Sequence, residues 1–175
     1  MEALHTNIIY AQIYRSICGD LILGSYGEHL CLCDWVNERR SLNIYKRLYS
    51  ALCATMEYKA SEITQRASIQ LDEYFERERK SFDIPLLLVG TPFQKNVWNK
   101  LLEIPYGETC SYGMLAQQLG VPKAVRAVAN ANAANVISIF VPCHRIIGSN
   151  HSLTGYVGGL HAKSTLLALE KSIKE

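Results

Sequence analysis

The pattern of hydrophobic and polar positions divides the chain into a strand-rich first part and a helix-rich remainder. Between residues 7 and 36, short runs of β-branched and aromatic residues are separated by turn residues, which predicts antiparallel strands joined by tight turns. Between residues 43 and 80, apolar positions recur every three to four residues, which predicts helix. The positions that show this spacing most clearly are Ile63, Ala67, Leu71, Tyr74 and Phe75.

Residues 81–90 interrupt the helical spacing with Pro85 and Gly90, and we place a domain boundary there. The chain then divides into an N-terminal α/β scaffold domain, residues 1–88, and a C-terminal domain, residues 89–175. We expect the first domain to pack against the back of the second. The predicted fold class is α+β, with a small antiparallel-sheet plus helix domain followed by a mostly helical, winged-helix-like domain.

Two short helical segments lie close together in the second domain. The first begins at Ser111, which suits a helix N-cap, and ends at Gly120, a common helix stop. The second is rich in alanine and carries one long cation, Arg126. Two such helices joined by a tight turn are typical of a helix-turn-helix, although an ordinary helical hairpin has the same pattern. The β-branched stretch 135–141 then predicts a strand that leads to Pro142.

Composition and charge narrow the class of protein. The N-terminus lacks the basic region of a secretory signal, and no apolar run approaches the ~18 residues of a membrane span. We therefore expect a soluble protein of the cytoplasm, nucleoid-associated if bacterial, whose six cysteines are free thiols. Residues 89–175 carry eight Lys and Arg against four Asp and Glu, whereas residues 1–88 carry ten against twelve. The second domain is thus mildly basic, which is compatible with a nucleic-acid-binding surface but does not indicate one by itself.

Cys143 and His144 are the strongest candidates for chemistry. A free thiol has a pKa near 8.5, so only ~3% is ionised at neutral pH unless a neighbouring group assists. Neighbouring residues of a strand point to opposite faces, which favours a water bridge between the two side chains over a direct hydrogen bond. His144 would need a carboxylate to orient it, and the downstream acids, Glu170 and Glu175, narrow this choice to Glu170. From spacing alone, a nucleophile, a metal ligand and an inert thiol all remain open.

The motif Pro142-Cys143-His144-Arg145, followed by "TGYVGGL" at 154–160, resembles the active-site signature of the O6-alkylguanine-DNA alkyltransferases. The likeness extends in the same order back through "NVISIFV", "KAVRAV", "IPYGETCSYGMLA" and "GTPFQKNVW", and covers about residues 71–170. It implies a methylated-DNA–protein-cysteine methyltransferase that repairs double-stranded DNA containing O6-alkylguanine by flipping the nucleotide out. O4-alkylthymine is a second candidate substrate. The resemblance also implies an irreversible transfer, so that each molecule acts once and without a cofactor, and we expect a monomer.

The resemblance implies roles for the residues around the thiol. Cys143 resembles the alkyl acceptor, and His144 resembles its base, acting through a water molecule. Glu170 is similar in position to the carboxylate that orients this base. Asn135 resembles the residue that ties the second helix to the active-site turn. We therefore expect these side chains to meet in one buried site.

Further roles follow from the same resemblance for the DNA and the flipped base. Tyr112 resembles the residue that rotates the target nucleotide, and Arg126 resembles the finger that fills the vacated space in the duplex. Ser111 and Ala127 are expected to contact DNA beside them. The positions that resemble the guanine pocket are Tyr156, a hydroxyl donor; Val157, a backbone donor to the guanine oxygen; Ile146, which reads the exocyclic amine; and Lys163, a supporting cation.

The chain departs from the family pattern at Val136 and Ser138, where prolines are common, so the rigidity of the pocket and the preferred alkyl group stay open. We expect no metal site, because His29, Cys31 and Cys33 alternate along one strand and would lie ~6.5–7 Å apart.

Three other functions fit the sequence less well than alkyl transfer. A lesion-binding module that flips bases without repair would lack the cysteine. A cysteine hydrolase would not need the helix-turn-helix. An S-adenosylmethionine-dependent methyltransferase would show a glycine-rich nucleotide loop, which the sequence does not contain.

Overall fold

The computed structural model describes residues 7–171. Its first part is a four-stranded sheet in the order β3-β2-β1-β4. Strands β1 (Ile8–Ser16), β2 (Gly19–Tyr26) and β3 (His29–Trp35) are antiparallel neighbours, as the sequence predicts. The turns between them use Gly19 and Gly27 at positive φ, a conformation that glycine adopts without strain.

The spacing of apolar residues predicts helix over the stretch 43–80, but the structure is not helical throughout. It contains helix α1 (Glu38–Leu52), strand β4 (Thr55–Tyr58) and helix α2 (Glu62–Phe75), and β4 pairs in parallel with β1. Cys53 is the C-cap of helix α1 and has the left-handed conformation, with φ 48°. A four-residue strand is too short to show a period, and its partner strand lies far away in sequence.

Helix α2 packs on the sheet through the apolar face that the sequence predicts. Ile63, Ala67, Leu71 and Tyr74 are buried, and Phe75 is partly buried. The helix starts with a capping box between Ser61 and Thr64. Helix α2 therefore closes one face of the sheet.

The second part is mostly helical, which confirms the predicted α+β class. Helix α3 (Pro92–Leu101) is followed by strand β5 (Cys110–Ser111), helices α4 (Tyr112–Gln118) and α5 (Val125–Ala133), strand β6 (Ile146–Ile147) and helix α6 (Leu160–Lys171). Ser111 caps α4 by accepting a hydrogen bond from the amide of Met114 at 3.1 Å. Helices α4 and α5 pack together across a short turn. They form the helix-turn-helix arrangement.

The prediction of a strand at 135–141 is wrong. This buried segment makes isolated bridges, one of them between Ile137 and Cys33 of β3, and then turns sharply at Ile139, where φ is 72°. Cys143–Arg145 form one turn of 3-10 helix, so the strand geometry used for Cys143 and His144 does not hold. The β-branched pattern indicates burial correctly, but burial alone does not distinguish a strand from a packed turn.

Candidate active site

The thiol of Cys143 lies in the 3-10 turn, between the two halves of the molecule, and is almost fully buried. The amide of Cys143 donates to the carbonyl of Val141 at 2.8 Å, which fixes the start of the turn. Burial raises the pKa of the Cys143 thiol, and hydrogen bonding by Asn135 and the charge of Lys163 only partly oppose this. The thiol is therefore protonated at neutral pH and needs a base before it can act as a nucleophile.

Glu170, on α6, is the centre of a buried hydrogen-bond network behind the thiol. Its Oε1 lies 2.7 Å from His144 Nε2 and accepts from the hydroxyl of Tyr74 at 2.7 Å. Arg145 donates to both carboxylate oxygens, at 2.9 and 3.0 Å, and the amide of Gly107 donates to Oε2 at 3.3 Å. Burial raises the pKa of Glu170, but the hydrogen bonds and charges of His144 and Arg145 outweigh it and hold that pKa at about 2.

This network fixes the tautomer of His144. An ionised Glu170 can only accept hydrogen bonds, so His144 Nε2 carries the proton that joins them. Burial lowers the pKa of His144 more than Glu170 raises it, so the imidazole is neutral at pH 7. Its other nitrogen, Nδ1, then holds a lone pair, and it has no hydrogen-bond partner among residues 7–171. His144 is thus arranged as a base.

Asn135 connects helix α5 to the active-site turn, in the position that the sequence predicts for it. Its side-chain amide donates to the carbonyl of Val141 at 3.0 Å, and its side-chain oxygen accepts from the amide of Ile137 at 3.0 Å. These bonds hold the sharp turn that leads to Cys143.

The predicted guanine-pocket residues lie around the same thiol. Lys163 is buried and donates to the carbonyls of Ile146 and Thr154. The Tyr156 hydroxyl accepts a hydrogen bond from the indole of Trp35 at 3.2 Å, and burial raises the pKa of Tyr156. Val157, next to Tyr156, is half-buried against the same core.

Tyr112 opens helix α4, and its hydroxyl donates to the carbonyl of Thr154 at 3.5 Å. Burial raises the pKa of Tyr112, and the hydrogen bond to Thr154 partly opposes this. Tyr112 therefore joins the start of helix α4 to the loop that contains Thr154.

The other predicted DNA contacts lie away from the thiol. Arg126 and Ala127 are exposed in the first turn of α5, and the side chain of Arg126 makes no hydrogen bond or ion pair within residues 7–171. The Ser111 hydroxyl is occupied as the N-cap of α4. The geometry leaves Arg126 available to a partner molecule, whereas Ser111 acts first on its own helix.

Three residues near the site make contacts that were not predicted. Arg145 stands in the motif itself, and its charge next to His144 was a usable signal. Tyr74 was identified only as a core position of α2, and nothing local indicates its bond to Glu170. Trp35 of β3 donates from its indole nitrogen to the Tyr156 hydroxyl at 3.2 Å across 121 residues of chain, which no local pattern could reveal.

No group of three or more His, Cys, Asp or Glu side chains suited to a metal ion occurs among residues 7–171. Cys31 and Cys33 are buried in β3, whereas His29 is exposed at its start. In the same part of the chain, none of the helices has the length and apolar character of a membrane span.

Comparison with known proteins identifies the family. Models of the 6-O-methylguanine DNA methyltransferase ribonuclease-like domain and DNA binding domain match residues 9–88 and 92–172. The chain belongs to the 6-O-methylguanine DNA methyltransferase family. This confirms the resemblance found in the sequence, and it identifies the helix-turn-helix half as the DNA-binding domain of the family.

Several relatives match most of the chain. A methylated-DNA–protein-cysteine methyltransferase of Methanosarcina acetivorans is 43% identical over 94% of this chain and 99% of its own length. The constitutive enzyme of that name from Bacillus subtilis is 52% identical over 81% of each chain. The crystal structure of Mycobacterium tuberculosis OGT in complex with DNA has a TM-score of 0.77 and 42% identity, and covers 94% of this chain and 93% of its own.

Proposed function

We propose that this methyltransferase repairs duplex DNA by moving the alkyl group of O6-alkylguanine to the sulfur of Cys143. The observation that carries the proposal is the buried thiol beside His144, whose tautomer is fixed by Glu170 at 2.7 Å. The DNA-binding domain of the family contains this site, which supports DNA as the substrate.

Alkyl transfer from guanine O6 to Cys143 needs no cofactor, because the lesion itself supplies the alkyl group. The Cys143 proton passes through a water molecule to His144 Nδ1, and the thiolate attacks the alkyl carbon. The carbon–O6 bond breaks and its electron pair stays on the guanine, which then takes a proton and is restored. Donors such as the Val157 amide would stabilise the departing oxygen. The product is a thioether with no easy leaving group, so each molecule reacts once.

The helix-turn-helix gives the thiol access to its substrate. An alkyl carbon inside a duplex cannot reach a buried sulfur, and rotating a nucleotide out costs a few kcal/mol. Arg126 is free on α5 to fill the space that the nucleotide leaves, and Tyr112, at the start of α4, would rotate that nucleotide. Tyr156, Ile146 and Lys163 would then hold the guanine.

Intact mass measurement tests this function. Incubation with a duplex containing O6-methylguanine should add one methyl group, on the peptide that contains Cys143, and should restore guanine in the DNA. Cys143→Ala should abolish transfer and keep DNA binding. Binding without a mass change would support a lesion-binding module, and repeated turnover would support a hydrolase; either result contradicts the proposal. The monomeric state, the cytoplasmic location and activity on O4-alkylthymine stay predictions.

A further inference from the structure

Two arginines of α1 reach from the first half of the molecule to the end of α5. Arg40 donates to the carbonyls of Ala133 at 3.1 Å and Asn135 at 2.9 Å, and Arg47 donates to the carbonyl of Ala134 at 3.1 Å. The last carbonyls of a helix lack partners within it and carry partial negative charge. Helix α5 has no basic residue in its last turn. Helix α1 therefore supplies the cations that the end of α5 lacks.

Arg40 is itself oriented by Asp34, at the end of β3. Its Nε donates to Asp34 Oδ2 at 3.0 Å, and Asp34 is buried while the Arg40 side chain is 22% exposed. The same strand binds the segment after α5 through its backbone. The amide of Cys33 donates to Val136 at 2.8 Å, and the carbonyl of Cys33 accepts from Ser138 at 2.7 Å. The N-terminal sheet and its helix thus contribute five of the hydrogen bonds that hold residues 133–138.

These contacts continue to the thiol in a few hydrogen bonds. Arg40 binds the backbone of Asn135, the Asn135 side chain binds the carbonyl of Val141, and the same carbonyl accepts from the amide of Cys143. Ile139, a β-branched residue at φ 72°, lies between Asn135 and Val141 in the chain. A residue of this type keeps such a conformation only when the surrounding structure imposes it.

We propose that Arg40, oriented by Asp34, is a positioning residue for alkyl transfer. By holding the end of α5 and Asn135, it sets the position of the Cys143 thiol relative to His144 and the pocket. The inference rests on the proposed function, because it concerns the rate of that reaction. Arginine suits the role because its planar fork reaches a carboxylate and two carbonyls at once, whereas a lysine ammonium is a single point.

Single-turnover kinetics separate positioning from binding. The rate of methyl transfer is measured against the concentration of duplex containing O6-methylguanine for wild type, Arg40→Ala and Arg39→Ala. Arg39 is the matched control, since it is the adjacent arginine of α1 and its side chain is exposed. We expect Arg40→Ala to lower the rate at saturating DNA by about tenfold or more, with the half-saturating concentration nearly unchanged. Arg39→Ala should keep the wild-type rate, and Arg40→Lys should lie in between.

A second variant separates positioning from stability. Arg40→Ala leaves the Asp34 carboxylate buried without its partner, which destabilises the fold. The double variant Asp34→Asn/Arg40→Ala removes that charge, so its melting temperature should recover while its transfer rate stays low. Hydrogen exchange at the amides of Ile137, Ser138 and Val141 should be faster in both variants than in wild type or Arg39→Ala.

The outcomes are distinguishable. If wild type transfers methyl and a folded Arg40→Ala variant does so at the same rate, this inference is wrong while the proposed function stands. A rate that recovers with melting temperature in the double variant also overturns it, since the loss would then come from stability. A wild-type protein that transfers no methyl group overturns the proposed function and this inference with it.

Discussion

Two buried carboxylates, Glu170 and Asp34, each accept hydrogen bonds from an arginine, but their pKa values shift in opposite directions. Glu170 accepts five hydrogen bonds, from His144, Tyr74, Gly107 and twice from Arg145. Its pKa is held at about 2, below the ordinary 4.5.

Asp34 has a poorer set of partners. Its Oδ2 accepts from Arg40, but its Oδ1 is buried and has no hydrogen-bond partner among the described residues. Burial therefore dominates and raises the pKa of Asp34 above 3.8, although Arg40 opposes this. An arginine beside a buried acid is not enough to lower the pKa of the acid; the number of satisfied oxygens also matters. The pKa of Glu170 is therefore lowered, whereas that of Asp34 is raised.

The largest difference should appear when each charge is removed, beginning with Glu170→Gln. The change leaves Arg145 buried without a counter-charge and takes away the acceptor that fixes the His144 tautomer. We expect a loss of about 3 kcal/mol in the free energy of unfolding. Methyl transfer should slow by roughly a hundredfold, because the base is no longer oriented. Urea unfolding and single-turnover kinetics measure the two effects.

Glu108→Gln is the matched control for this variant, since Glu108 is exposed on the loop next to Gly107. It should change neither quantity. A Glu170→Gln protein with wild-type kinetics would show that Glu170 serves the fold and not the reaction.

The next effect is the dependence of stability on pH, which has opposite signs for the two acids. The folded-state pKa of Glu170, about 2, lies below the unfolded value of 4.5, so its contribution to stability is present above pH 4.5 and is lost as pH falls toward 2. The folded-state pKa of Asp34 lies above 3.8, so the folded state binds its proton first and acidification toward 3.8 adds stability.

Melting temperatures between pH 7 and pH 2.5 test these signs. Glu170→Gln should flatten the acid loss seen in wild type below pH 4.5, and Asp34→Asn should steepen it. Equal curves for the two variants would contradict the contrast between the carboxylates.

The fold could be predicted where its signal is local. The hairpins of β1 to β3 and the apolar face of α2 follow from alternation, turn glycines and helical spacing. The Ser111 cap and the Gly120 stop likewise define α4. Strand β4 and the packed turn at 135–141 could not be predicted, because both depend on strands that are distant in sequence.

The residues of the site also divide into those that the sequence indicates and those that it does not. Cys143 and His144 are adjacent, and the scarcity of acids after them directed attention to Glu170, which the structure places against His144; the catalytic roles of all three stay predictions. Arg40 carried no signal, because its acceptors are backbone carbonyls 93 and 95 residues away, and carbonyls leave no mark in a sequence.

The smallest effect should come from Asp34→Asn. The asparagine oxygen can still accept from Arg40, and the variant removes a charge that burial already opposes. The asparagine NH2 group, however, would take the place of Oδ1 and would also lack a hydrogen-bond partner. We therefore expect a loss of about 1 kcal/mol or less in the free energy of unfolding. The transfer rate should fall by less than about fivefold, since Arg40 keeps its bonds to Ala133 and Asn135. If Asp34→Asn costs as much as Glu170→Gln in stability and rate, the charge of Asp34 is as necessary as that of Glu170. The number of satisfied oxygens would then not be what separates them.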